Sequence, residues 1–558
     1  MLTLGINYSR MHDSSACVVR DGKLLFAIAE ERVSRVKHDA TFPVLSIEAC
    51  LDSAGIRPSE LDFVCFGWPP PRITYGHDLA DFVRGRHPIS YFNVFSSTRH
   101  FATMVNQGNG WKMFQSYFGP TKARPRFIDH HFSHAISAFA YSGFEEAAVV
   151  VVDGRGSWEA TSFWHGHSGR LDHVSTIPWP NSLGLFYATF TRHLGFQPNS
   201  DEWKVMGLAP YGNPGIGLED FIRVNGHPYR VDGPGLIGAG NGSLSKIARK
   251  LGSPRIPESE IDEKHKNLAF SVQEACEQAM MALVRDAVAK TGCRNLCLAG
   301  GVALNSKANG RILASGLVDD LFVQPASSDD GVALGAALAP YLEADGHLPM
   351  TPMRDAYLGM EYQDCDVEKT LNTYKLRSTR LGDPAGTGAE LLSSGKIIGW
   401  FQGRMEFGPR ALGNRSILAD PRDPQMNAKV NNAVKFRESW RPFAPSILAE
   451  AAPEYVESAT DSPFMILTAQ VKPEKRGVIP SVTHVDGSTR PQTVKQDVNP
   501  LYWRLIREFG NRTGVPVVMN TSFNLRGEPI VCTPTDAVRT FFSSGMDALV
   551  IGRYLVEK

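Results

Sequence analysis

At 558 residues the chain is too long for a single hydrophobic core, and it predicts more than one domain. Lys+Arg and Asp+Glu both total 58, so there is no net-charge footprint for nucleic acid or an anionic membrane, although local basic pockets for small anions stay open. The first residues lack a secretory pattern, and no apolar run of about 18 residues spans a membrane. Of the eight cysteines only Cys293 and Cys297 are close, at neither CxxC nor zinc spacing. They read as reduced thiols of a cytoplasmic protein.

In chain order, residues 2–7 read as a strand, a polar loop carries His12 and Asp13, and SACVVR, the turn Asp21-Gly22 and KLLFAIAEER make a hairpin. The same series recurs over 147–178. AAVVVV is a strand, DGRGSWE is a loop opening on Asp153, and ATSFWHG and RLDHVSTI form a hairpin around Ser168-Gly169. Such a duplication, with an acid in each first loop, resembles the actin-like ATPase superfamily, which clamps ATP between two related lobes. Between the copies, residues 68–118 are rich in Pro, Tyr and Phe. They read as a packed surface insertion, with the wall of an acceptor pocket as the alternative.

The stretch RFIDHHFSHAISAFA predicts a helix in which His130 and His134, four apart, share one face. Two imidazoles need that geometry to hold one metal ion. Asp153 ends a buried strand, where α/β proteins place ligand-binding groups. The plain alternative is a capped helix with surface histidines and an ordinary loop aspartate. In DEWKVMGLAPYG, Lys204 beside a Gly/Pro loop suits phosphate, though taken alone the run reads as a surface turn. Residues 213–262 read as loops or a small insertion. Residues 266–290 form a helix with Leu268, Val272, Cys276, Ala279, Leu283 and Ala287 as its buried stripe, and Gly292 stops it. A strand at Asn295–Ala299 leads to Gly300-Gly301, where glycine lets backbone approach a ligand closely, and on to Asn305. A further strand and polar loop bring Asp329. Two imidazoles and two carboxylates suit iron(II), manganese or zinc, and the donor set does not choose between them.

After Pro349–Pro352 the character changes, and the expected domains are 1–365 and 366–558. A helix over 384–396 and a strand over 397–401 precede two runs, 403–416 and 435–445. These runs hold Arg404, Arg410, Arg415, Lys435, Arg437 and Arg441 among Gly, Pro and aromatics. Arginines in rigid loops beside apolar residues suit a phosphate or carboxylate pocket, because the planar fork meets two oxygens at once. A packed structural loop at RPFAP is the alternative. Arg490 lies in a later loop, and PVVMNTSFNLRGEPIV reads as strand, Asn520 loop, Arg526-Gly527 turn and strand.

The motifs HHxxHA, VVDGRG, DEWKVMGLAPYG, GGVALN and PASSDDG, in this order, resemble the ATP-dependent O-carbamoyltransferases that decorate natural products, the nodulation-factor, cephamycin and aminoglycoside type. The likeness covers essentially the whole chain. The first half is also similar to the tRNA threonylcarbamoyl-transferase lobe. The fold so implied is α/β: an actin-like ATPase (ASKHA) duplicated-lobe domain followed by a YrdC-like α/β domain. The resemblance implies His130, His134, Asp153 and Asp329 as metal ligands, with iron(II) as the metal, and Gly154, Arg155, Lys204, Gly300, Gly301 and Asn305 around an adenylate. It places His12 and Asp13 beside the transferred group, as candidate base and orienting acid. It assigns Arg410, Lys435, Arg441 and Arg490 to carbamoyl phosphate and ATP with Mg2+, Lys435 and Arg441 as catalytic groups, and Asn520, Arg415 and Arg526 to the same pocket. Trp440 stands where the family often has Phe. The implied partner is a small-molecule hydroxyl acceptor, not nucleic acid or membrane. The acceptor's identity and the oligomeric state are not readable. A tRNA threonylcarbamoyl-type transferase is the alternative enzyme, and a non-catalytic nucleotide sensor is the alternative of another class.

Overall fold

The computed structural model describes all residues except 10–11, 71–109, 225–227, 238–241, 439 and 458–460. Most of the stretch read as an insertion or acceptor wall therefore lies outside the described residues. The chain forms two compact units, Met1–Ala27 with Ala40–Met353, and Ile28–Asp39 with Arg354–Lys558.

The first unit is built on two sheets. Strands β1 (Leu2–Asn7), β2 (Ser15–Arg20), β3 (Lys23–Ala29), β4 (Phe63–Phe66) and β5 (Arg124–Phe127) run in the order β3-β2-β1-β4-β5. Strands β6 (Glu146–Val152), β7 (Glu159–His167), β8 (Arg170–Pro178), β9 (Asn295–Ala299) and β10 (Asp320–Val323) run in the order β8-β7-β6-β9-β10. Polarity matches as well. β2 and β7 are antiparallel to the central strands β1 and β6, while β4 and β9 are parallel to them. One plan used twice is the actin-like architecture that the doubled sequence pattern predicts. The KLLFAIAEER strand stops at Ala29, and Glu30–Ser34 turns helical.

Three helices position the site. Helix α1 (His130–Ser142) is capped by Asp129, whose carboxylate accepts the Phe132 N–H at 3.0 Å. Helix α2 (Glu263–Thr291) buries the predicted stripe and ends on Gly292 in the left-handed region. Helix α3 (Val332–Asp345) is apolar on every side and buried from Val332 to Tyr341. It meets α1 backbone to backbone, since a Cβ on Gly335 would lie 1.8 Å from the Ser133 carbonyl oxygen. Residues 213–262 hold more structure than their composition suggests. The ribbon Ile222–Arg223 with Arg230–Val231 and a helix at Gly242–Leu251 lie there, the helix tied by Lys250 to Asp220 at 2.6 Å.

The second unit carries one mixed sheet of eight strands. They are β11 (Thr379–Arg380), β12 (Ile398–Phe401), β13 (Arg415–Ala419), β14 (Ala444–Leu448), β15 (Gln492–Val494), β16 (Val517–Ser522), β17 (Ala548–Ile551) and β18 (Tyr554–Glu557), in the order β11-β18-β17-β12-β13-β16-β14-β15. Helices α4 (Pro384–Ser393) and α5 (Pro500–Thr513) pack together over a core that includes Trp400, Tyr502, Phe509 and Phe523. The units part at Met353/Arg354 rather than at 365/366, and residues 28–39 group with the second. Arg32 donates to the Gly408 carbonyl at 2.9 Å, and Arg35 to those of Pro529 and Ile530 at 2.8 and 2.6 Å. These are long-range bonds that local patterning does not reveal. Among the described residues, no helix is long and apolar enough to cross a membrane.

Gly335→Val should force α3 off α1 and destabilise the first unit by about 1–3 kcal/mol, the usual cost of overpacking. Denaturant unfolding followed by tryptophan fluorescence reads this, and an unmoved midpoint would contradict the close helix contact.

Candidate active site

Helix α1 brings His130 and His134 one turn apart, both fully buried. Strand β6 delivers Asp153 at its C-terminal tip, and the turn Asp329–Gly331 ahead of α3 delivers Asp329; both carboxylates are buried. One ligand atom from each of the four lies within 4.8 Å of the others. His130 Nε2 is 3.2 Å from Asp153 Oδ2 and 3.7 Å from Asp329 Oδ1, and His134 Nε2 is 3.9 and 4.0 Å from the same two oxygens. Asp153 Oδ1 accepts the backbone N–H groups of Gly154 at 2.8 Å and Gly301 at 3.1 Å, which leaves Oδ2 for the imidazoles.

The charges here are in conflict. Burial opposes ionisation of His130, yet Asp329 and Asp153 hold its pKa above the ordinary value. Burial and the neighbouring His130 push His134 well below it. Burial raises Asp329 to about 6, against the pull of His130 and His12. Burial also resists the Asp153 charge, but the His130 hydrogen bond and His134 keep its pKa low. A divalent ion fits this set. Ligand atoms about 2.1 Å from a common ion lie roughly 3–4 Å from each other, and buried His134 Nε2 has no hydrogen-bond partner among the described residues. His131 is turned away, with Nδ1 on Ser162 Oγ at 2.9 Å.

The His12–Asp13 loop joins this cluster. Ser15 Oγ donates to the Asp330 carbonyl at 2.8 Å, and His12 Nδ1 lies 3.2 Å from Asp13 Oδ2. Burial works against a charge on His12, but Asp329, Asp13 and Asp153 outweigh it and push its pKa up to about 10.

The candidate nucleotide residues divide. Gly154, Gly300 and Gly301 surround the Asp153 tip, Gly300 with a φ of 89°. The Arg155 guanidinium lies over the Trp179 ring at 4.6 Å. Lys204 is buried and paired with Asp201 at 2.9 Å. Asn305 caps the helix Ser306–Ala314 and exchanges amide hydrogen bonds with Gln273 at 3.0 and 3.1 Å. Ser182, absent from the sequence reading, shares its hydroxyl between the Asp153 and Gly154 carbonyls at 3.1 and 2.7 Å while capping Leu183–His193. A serine ahead of a helix is visible in sequence; the loop it fastens is not.

In the second unit, buried Glu406 accepts the N–H groups of Leu412, Asn414 and Arg415 at 2.7, 2.8 and 3.2 Å and so shapes the loop that presents Arg410. Lys435 donates to the Asn524 carbonyl at 3.1 Å and its side-chain oxygen at 2.8 Å. Arg441 pairs with Glu438 at 3.2 Å. Arg437, outside the set the resemblance implies, joins them, with Nε on Asn431 Oδ1 at 2.7 Å. Buried Arg410 Nε and Arg490 Nε have no hydrogen-bond partner among the described residues. Burial lowers Arg410 to about 10. Burial first, then Arg410 and Arg437, hold Arg490 well below its ordinary value. Burial, Arg437 and Arg441 do the same to Lys435. Asn520 donates to Ser446 Oγ at 3.0 Å and Gln492 Oε1 at 3.2 Å. Arg415 is fully buried, and its guanidinium donates to the carbonyls of Met360, Gln402, Gly403 and Asn414. Arg526 is exposed on a turn.

Two family models match the chain, the carbamoyltransferase N-terminus over residues 2–338 and the carbamoyltransferase C-terminus over residues 389–558. Nodulation protein NolNO of Sinorhizobium fredii is 39% identical over 562 residues, covering 98% of this chain and 79% of its own. Nodulation protein NolO of Bradyrhizobium diazoefficiens is 43% identical over 442 residues, covering 77% and 79%. Nodulation protein U of Rhizobium tropici is 30% identical and covers 92% of this chain and 90% of its own. The chain belongs to the carbamoyltransferase family and is an enzyme of carbamoyl transfer.

A buried cation that no acid balances costs stability. Arg490→Leu should therefore raise stability by about 0.5–2 kcal/mol, as relief of a functional site commonly does. Arg415→Met should lower it by about 3 kcal/mol or more, because several carbonyls lose their donors. Denaturant midpoints decide, and equal losses in both variants would contradict the division of roles.

Proposed function

We propose that this carbamoyltransferase makes carbamoyladenylate from carbamoyl phosphate and ATP in its second unit, and transfers the carbamoyl group to a hydroxyl of a small natural product in its first. The observation that carries the reading is the cluster Arg410, Lys435, Arg437, Arg441 and Arg490, in which desolvation first, and then the neighbouring guanidinium groups, hold Lys435, Arg437 and Arg490 well below their ordinary pKa values. A polyanion supplies the missing charge, and ATP with Mg2+ and carbamoyl phosphate are polyanions.

The chemistry answers a specific difficulty. Carbamate is a poor electrophile and decomposes in water. Hydrolysis of carbamoyl phosphate releases carbamate and phosphate. A carbamate oxygen then attacks the α-phosphorus of ATP, and the bond to pyrophosphate breaks. Arg410, Arg441 and Arg490 hold the phosphate oxygens as charge shifts among them, and Lys435 is fixed beside them by Asn524. Asn520 lines the pocket. Arg415 we assign to its framework, since carbonyls engage its donors, and exposed Arg526 to its margin.

In the first unit, Gly154, Gly300 and Gly301 offer backbone to the adenylate, with Arg155 and Lys204 beside it, while Asn305 shapes the adjoining helix start. His130, His134, Asp153 and Asp329 would hold a divalent ion, iron(II) by family resemblance, whose chemistry is Lewis-acid polarisation of the carbamoyl oxygen. With Asp329 and Asp153 offset by an ion, His12 would lose much of the pull that keeps it protonated. The neutral imidazole, oriented by Asp13, takes the proton of the acceptor hydroxyl as its oxygen attacks the carbamoyl carbon and AMP leaves. The nodulation proteins among its relatives support a small-molecule acceptor and give no support to tRNA. Eight cysteines with no disulfide among the described residues support a reducing, cytoplasmic setting.

The two half-reactions separate in variants. Lys435→Ala should cut carbamoyl-phosphate-dependent pyrophosphate release by about 100-fold or more, and unchanged release would remove the cationic pocket from that step. His130→Ala should retain release and lose transfer; survival of both would rule out the buried cluster. With carbamoyladenylate supplied, transfer by His12→Ala at the wild-type rate would end its role as base. A screen of hydroxylated metabolites with ATP and carbamoyl phosphate, read as a mass gain, identifies the acceptor class.

A further inference from the structure

One imidazole of the quartet is held by a residue pair that no motif marked. Gly67 and Trp68 follow the C-terminal end of β4 and close on His130 from two directions. The Gly67 carbonyl lies 3.3 Å from His130 Nδ1, so Nδ1–H donates to it and Nε2 is left toward the carboxylates. The Trp68 indole lies over the same imidazole, with ring centroids 3.8 Å apart and planes 32° apart. Residue 67 has no room for a side chain, because a Cβ there would sit 2.0 Å from Val332 Cγ1 at the start of α3. The clamp is thus wedged between His130 and the helix that follows Asp329.

Trp68 is itself oriented. Its Nε1–H donates to Asn7 Oδ1 at 3.1 Å. Asn7, fully buried as the last residue of β1, turns its amide NH2 to the Asp13 carbonyl oxygen in a short hydrogen bond. One amide therefore fixes the plane of the indole on His130 and the loop that carries His12. An apolar residue at position 7 would preserve the strand and lose both bonds.

We infer that Trp68, set by Asn7, is a positioning residue that fixes the imidazole plane of His130 and couples it to the His12–Asp13 loop. The inference rests on the reading of His130, His134, Asp153 and Asp329 as a metal site. Groups that orient a metal-bound imidazole commonly contribute 10–100-fold to metal affinity. The indole contributes by stacking and by its hydrogen bond, so a phenyl ring keeps the first contribution and loses the second.

The test titrates the full-length protein with Co2+ alone, following its visible absorption and the tryptophan emission. Wild type should bind one ion with partial loss of emission, because Trp68 lies against a ligand. Trp68→Leu should bind about 10-fold or more weakly, and Trp68→Phe should recover most of that affinity while losing the Co2+-dependent emission change. Asn7→Leu should weaken binding less than Trp68→Leu and slow transfer from supplied carbamoyladenylate. Wild-type Co2+ affinity in Trp68→Leu overturns the inference. Should that variant fail to fold, an emission change in Trp68→Phe equal to that of wild type overturns it. If wild type binds no more Co2+ than His134→Ala, the metal reading itself fails and takes the inference with it.

Discussion

Asp153 and Asp329 are buried against the same pair of imidazoles, with an oxygen of each at or within 4.0 Å of His134 Nε2. One oxygen of each carboxylate lies within 4.8 Å of the other, and at an effective dielectric near 20 two like charges at such a separation repel by about 3–4 kcal/mol. The fold enforces the encounter. Two backbone N–H groups hold Asp153, and the close contact of α1 with α3 sets the turn that carries Asp329. Protons on His130 and His12 answer the acids in part, while burial and His130 keep His134 from sharing the task. In the proposed reading, a divalent cation among the four would offset both carboxylates and would displace the proton from His130.

The second unit repeats the logic with the sign reversed. Arg410, Lys435, Arg437 and Arg490 are desolvated beside one another, and the carboxylate of Glu438 offers partial relief. Each unit thus carries a charge imbalance that, in the proposed reading, a ligand of opposite charge would remove, a metal ion in one and phosphate oxygens in the other. Both ligands should stabilise the fold that binds them, since each acts on the folded chain alone.

Much of this was legible in the sequence because the signals are local. The four-residue spacing of His130 and His134, the acid closing an apolar strand and the strand–loop–hairpin series repeated at 147–178 all lie within short windows, and all fold as read. What stayed hidden depends on distant partners. Residues 28–39 group with the second unit through bonds to Gly408, Pro529 and Ile530. Arg410 and Arg415 sit five residues apart in one arginine-rich run, yet the first lies among other cations and the second is enclosed by backbone carbonyls. Composition misled over 213–262, where Gly and Pro concealed the helix at Gly242–Leu251. Trp68 opens a Pro-rich stretch with no pattern of its own, and only the fold brings its ring to His130.

The central claim is that the buried quartet holds one divalent ion. It is met most directly by the metal content of the full-length protein, purified without chelators and without oxygen, beside that of Asp153→Asn. One equivalent of divalent metal per chain in the first, and near none in a folded second, is the predicted result. The same metal content in both, or none in the wild type after incubation with iron(II), manganese or zinc, would contradict it.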